Sequence, residues 1–150
     1  MGKPKFITAE LLYERDACQA QIDLFMEIFP GWITEVTPEA VLKAARADLD
    51  LVWAASEFLS PVMFNRYKYS SIDFVRKYTE DLQTARVLVR EGKITRGTFD
   101  RRARKLERRL QEDTAKLFMK AWLGRLRAKR KPHRAHAGSS GGVRRGEPRK

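Results

Sequence analysis

The chain has 150 residues, 43% of them apolar, with a formal net charge of +12 and one cysteine. That length and apolar content are enough for a single folded domain with a real core. One cysteine excludes an intramolecular disulfide and a cysteine-rich zinc site, and no apolar run approaches the roughly 20 residues of a membrane span.

The opening stretch, MGKPKFITAE, has no apolar h-region ahead of its first acid. No signal peptide is expected, and the expected setting is soluble and cytoplasmic. Thr8 is placed to cap a short helix over Ala9–Arg15 that carries Leu11 and Leu12. Asp16, followed three residues later by Gln19, has the spacing of a capping box for the next helix. In that helix Ile22, Phe25, Met26 and Phe29 stand at i, i+3, i+4 and i+7, one amphipathic face that Pro30-Gly31 ends. Trp32–Val36 is short and β-branched and reads as extended. Thr37-Pro38 pairs an N-cap residue with proline at N1, a strong start for a helix bearing Val41, Leu42 and Ala45. Asp48 or Asp50 starts another, with Leu51, Val52, Ala55, Phe58 and Leu59, and Ser60-Pro61 both ends it and caps its successor. Residues 1–60 therefore read as a compact bundle of short helices, with Phe25, Phe29, Trp32 and Trp53 assigned to its core. Its carboxylates, among them Glu10, Asp23, Glu27, Asp50 and Glu57, fall opposite the apolar positions with no histidine nearby. They read as a solvated face, and no metal or cofactor is expected.

From Pro61 one long helix is predicted to run to about Glu91, with a bend allowed at Ser70-Ser71. Val75, Tyr78, Leu82, Ala85 and Val89 give it a heptad-like seam. Gly92 is placed as the residue after the C-cap and Thr95 as the next N-cap. So short a link turns the following helix back as an antiparallel hairpin partner. That helix has its own seam of Phe99, Ala103, Leu106, Leu110, Leu117 and Ala121. The predicted fold class is all-α: a small helical subdomain over 1–60, a helical hairpin over 61–131, and a disordered basic tail over 132–150. The tail, rich in Gly, Ser, Pro and Arg, has too little apolar content to order itself. His133 and His136 stand within it without further metal ligands.

Two stretches resemble known modules. LVREGKITRGTFDRRARKL, residues 88–106, is similar to the short C-terminal (SHOCT-type) helical hairpins of bacterial proteins, through Gly92, Ile94, Thr95, Phe99, Lys105 and Leu106. That resemblance implies oligomerisation or docking. Residues 6–61 resemble a small helical module of phage and bacterial proteins, which implies a phage or prophage origin and carries no active residues.

Charge is what points to a function. Residues 1–95 hold 12 basic and 14 acidic side chains, whereas residues 96–150 hold 19 basic and 5 acidic. A concentrated excess creates a local field that attracts phosphate. On the second hairpin helix Arg101, Arg104, Lys105 and Arg108 fall on one flank of the seam, and Arg102, Arg109, Lys116 and Lys120 on the other. Arg125, Arg127, Lys129, Arg130 and Lys131 continue past it. These thirteen residues are the expected contacts to the phosphate backbone of DNA or RNA, without sequence specificity, because no helix-turn-helix or zinc finger, nor a GxxG loop within the body of the chain, is recognisable. The alternative is a protein-interaction or oligomerisation module that binds or inhibits an acidic host protein or a ribonucleoprotein. The run Leu117, Phe118, Ala121, Trp122, Leu123 and Leu126 has the pattern of an interfacial membrane helix, a weaker alternative than core packing. No glycine-rich phosphate loop and no nucleophile–histidine pair is present in the body of the chain, so no enzymatic activity is expected.

Overall fold

Five helices begin at a side chain that closes on the backbone three residues ahead. Thr8 accepts from the Leu11 amide (3.0 Å), Thr37 from Ala40 (3.1 Å), Asp50 from Trp53 (2.9 Å), Ser60 from Met63 (3.2 Å) and Thr95 from Thr98 (3.1 Å). Each satisfies an amide that the first helical turn leaves without a partner. The computed structural model describes residues 3–128. Lys129, Arg130, Lys131 and the stretch read as a disordered tail, with its two histidines, lie outside the described residues.

In chain order the elements are β1 (Phe6–Thr8), α1 (Ala9–Glu14), α2 (Gln19–Ile28), β2 (Ile33–Glu35), α3 (Pro38–Arg46), α4 (Leu51–Phe58), α5 (Pro61–Arg90) and α6 (Arg96–Trp122). The fold is all-α apart from a ribbon in which β1 and β2 pair antiparallel, Phe6 opposite Glu35 and Thr8 opposite Ile33. Local expectation fails in two places here. The Asp16–Gln19 capping box does not form: α2 begins at Cys18 without a side-chain cap. Asp16 closes the preceding turn at φ 61° instead, a conformation its short polar side chain tolerates, and Gln19 donates forward to Asp23 (2.8 Å). Trp32 is likewise outside the core. Gly31 and Trp32 follow one another at positive φ (75° and 61°), and the indole is 58% exposed. The outer face of the ribbon adds exposed Phe6 and Ile33 beside it.

The long hairpin forms as its sequence predicts. α5 runs unbroken through Ser70-Ser71 for 30 residues, about 45 Å at 1.5 Å per residue. The Ser71 hydroxyl bonds the Lys68 carbonyl (2.8 Å), so it leaves no unsatisfied group in the helix. At the far end Gly92, at φ 72°, closes a Schellman turn: its amide bonds the Val89 carbonyl (3.0 Å) and the Lys93 amide bonds that of Leu88 (2.9 Å). No atom lies within 4 Å of the place a Gly92 Cβ would occupy. Gly92→Ala is therefore expected to cost only the left-handed strain, about 1–2 kcal/mol, read as a lower urea midpoint at unchanged slope.

Where α5 and α6 meet, Tyr78, Leu82 and Ala85 face Phe99, Ala103 and Leu106 across the pair. Val75 drops out of this seam and is 49% exposed. A straight helix drifts against a strict seven-residue repeat, and it is Phe74 and Ser71 that stay turned inward below Tyr78.

One core runs across position 60. Leu12, Ile22, Phe25, Phe29, Val41, Ala44, Ala55 and Phe58 enclose the last two turns of α6, where Ala115, Leu117, Phe118, Met119, Ala121 and Trp122 are all buried. The Phe118 ring stacks on Trp122 (5.8 Å, 22°) and meets Tyr67 edge-on (5.8 Å, 90°), while Trp122 also meets Phe58 (6.3 Å). The run with the pattern of an interfacial membrane helix is thus core, apart from exposed Leu123 and half-buried Leu126.

Tyr67, 1% exposed, has its phenol pushed up to about 12, first by burial and then by the Asp50 carboxylate. Between pH 10 and about 12 an unfolded chain releases this proton while the folded one holds it. Its contribution to stability is therefore complete below pH 10 and declines as pH rises toward 12. The difference in unfolding free energy between the native chain and Tyr67→Phe, followed across that window, is expected to shrink toward high pH.

Candidate nucleic-acid interface

The exposed surface of α6 is set by what packs on it. α5 covers the seam along its length. α3 crosses the C-terminal half on the opposite side, packed there through buried Val41, Ala44 and Ala45, with Arg46 Nη2 3.4 Å from Glu112 Oε1 at the exposed rim. The first half of α6 consequently shows a broad sector to solvent, and the second half only a strip.

Eight cations of α6, Arg101, Arg102, Arg104, Lys105, Arg108, Arg109, Lys116 and Lys120, are exposed. Helical spacing sorts them into two rows. Arg102, Lys105, Arg109, Lys116 and Lys120 stand at i, i+3, i+7, i+14 and i+18, one line down the strip that neither α5 nor α3 covers, about 27 Å long. Arg101, Arg104 and Arg108 form a shorter row beside it that ends where α3 begins. Lys105 belongs to the long row: with Arg102, Arg109 and Leu106 it borders a shallow groove closed on the α5 side by Asp81, Thr84 and Ala85.

Two of the four acids of α6 are engaged by partners outside the two rows. Asp100 pairs with Arg96 (3.5 Å) in the first turn and Glu112 with Arg46 on α3. Glu107 and Asp113 remain: Asp113, four residues after Arg109 and three before Lys116, falls within the long row, and Asp81 tempers the groove from α5. Arg101 donates to the Thr98 hydroxyl (3.1 Å). None of Arg102, Arg104, Lys105, Arg108, Arg109, Lys116 or Lys120 forms an ion pair with a described residue. Neighbours in the long row lie about 4.5–6 Å apart along the axis, apart from about 10.5 Å between Arg109 and Lys116, so within Arg102–Arg109 and within Lys116–Lys120 the charges reinforce one another inside the roughly 8 Å Debye length at physiological salt.

Past α6, Gly124 at φ 68° makes a second Schellman turn, with the Arg125 amide on the Lys120 carbonyl (2.8 Å). The Arg66 guanidinium then holds the Leu126 carbonyl (3.0 Å), which sets exposed Arg125 and Arg127 beside the start of α5 rather than in line with the long row. Nothing in the sequence marks Arg66 for that task, since a side chain reaching a carbonyl 60 residues away leaves no local pattern.

Other chemistry is sparse. Among the described residues no three His, Cys, Asp or Glu side chains gather as a metal site needs, and no helix is long and apolar enough to cross a membrane. A cavity of about 90 Å³ lies in the N-terminal bundle among Phe25, Phe29, Trp53, Phe58, Phe118 and Trp122. Comparison with protein-family models, curated proteins and solved structures gives no match.

Proposed function

We propose that this is a small non-enzymatic protein, of phage or prophage type, that binds nucleic acid through the phosphate backbone. The row of unpaired cations down the open strip of α6 carries the reading. Long Lys and Arg side chains held on a rigid helix, eight of them against two acids without a described partner, gain by exchanging small counterions for phosphates. Readout of bases is not part of the proposal. No base-reading motif stands on α6, and its open strip carries Lys and Arg suited to phosphate.

The test is a salt titration of binding to DNA and RNA by fluorescence anisotropy. Engagement of the five-residue row predicts a fall of log affinity against log salt with a slope of about −4 to −5 on duplex. Absence of binding at physiological salt would remove the proposal.

A second reading, a protein-interaction module, is favoured by a different surface. Exposed Phe6 and Ile33 share one face of the ribbon, exposed Trp32 directly precedes it, and Val62, Tyr69 and Ile72 line the outer side of α5. A defined oligomer, or a host partner retained after nuclease treatment, would move the function to those faces.

A further inference from the structure

We infer that the α6 face is matched to a straight duplex, double-stranded DNA or RNA, and discriminates against single strands; this rests on the nucleic-acid reading above. Three features of the face carry it. The long row is straight and rigid, because its helix is clamped by α5 along one side and by α3 at its C-terminal end. A duplex is also straight and stiff over the row's length of about 27 Å, about eight base-pair steps at 3.4 Å, so the two meet without either being ordered by the encounter. A flexible single strand must lose conformational freedom to follow the same line.

Charge spacing acts in the same direction. A duplex presents one phosphate per about 1.7 Å of axis against about 3.4 Å for one strand, so more phosphates lie within reach of a fixed row.

The third feature is the lack of a stacking platform. Sequence-tolerant single-strand binding draws on aromatic rings exposed beside the cations, each worth a good part of the affinity. Among the described residues the exposed large aromatics are Phe6, Tyr13, Trp32 and Tyr69, none of them on α6. Phe99, the one ring in the first half of α6, is half-buried at the hairpin seam beneath the Arg96 guanidinium (5.4 Å from the ring centroid).

The experiment uses the full chain and its variant Arg102→Gln/Arg109→Gln/Lys116→Gln against 12-base-pair DNA, 12-base-pair RNA and 24-nucleotide single strands of equal charge, all at 0.1 M salt. The native chain is expected to bind at least one duplex roughly ten-fold or more tighter than either single strand, and the variant to lose that preference. The DNA and RNA arms show which duplex is held. Single strands bound as tightly as duplex would overturn the inference while leaving the nucleic-acid reading in place, as would a duplex preference that survives in the variant. No binding to any of the four would remove both.

Discussion

Phe118→Ala is expected to destabilise the protein by about 3–5 kcal/mol, read by urea or thermal unfolding. The side chain is buried, stacks on Trp122 and meets Tyr67 edge-on, so its removal opens a cavity at the point where α6 enters the N-terminal bundle. Domains of this size are stable by only about 5–15 kcal/mol, which makes this loss a large share of the total. Leu123→Ala, one residue past the helix on an exposed side chain, is the control and is expected to change stability by no more than about 0.5 kcal/mol. Equal effects at the two positions would mean that the C-terminal end of α6 does not hold the fold together. The substitution bears on function too: Ala115–Trp122 anchors the helix whose open strip carries the cations, so a frayed end shortens the long row.

The second large effect is on affinity. Arg102→Gln/Arg109→Gln/Lys116→Gln leaves the seam untouched, since all three side chains are exposed and none forms an ion pair with a described residue. If each contacts one phosphate, each loss reduces the salt slope by about 0.9. At 0.1 M salt each contact is worth roughly eight-fold relative to 1 M, so three together predict roughly a 500-fold weaker complex. The matched triple Arg101→Gln/Arg104→Gln/Arg108→Gln removes the same charge from the short row that α3 cuts off. Its effect is expected to be several-fold smaller, and an equal loss would show that both rows lie on the nucleic acid.

What could be read from the sequence was set by the range of the interactions. Thr8, Thr37, Ser60 and Thr95 each cap through a bond spanning three residues, and the spacing is visible in the chain itself. Gly92 announced the hairpin turn for the same reason, because only a left-handed residue closes that loop. Capping grammar failed at Asp16, where the same side chain suits a left-handed turn as well as an N-cap. The sequence marked Trp32–Val36 as extended, but its partner Phe6–Thr8 escaped notice, because a three-residue strand gives no periodic signal and the pairing spans 25 to 29 positions. Trp32 was misplaced because aromatic burial is a preference of composition, and the strained Gly31-Trp32 turn overrides it.

The site shows the same division. The eight cations of the two rows could be named from the sequence, and they do lie off the seam. Which of them form a continuous line could not, because α3 decides it by covering one side of α6, through a packing between elements some 66 residues apart at Arg46 and Glu112. Lys105 falls between the two flanks by helical spacing, and only the groove it shares with Arg102 and Arg109 against α5 places it in the long row.

Lysine acetylation footprinting of the full chain, with and without a 12-base-pair duplex, tests the central claim most directly. The account predicts protection of Lys105, Lys116 and Lys120, with exposed Lys43 and Lys68 reacting as they do in the free protein. Protection confined to Lys129, Lys131 and Lys150, with the three α6 lysines unchanged, would contradict it and move binding off the helix.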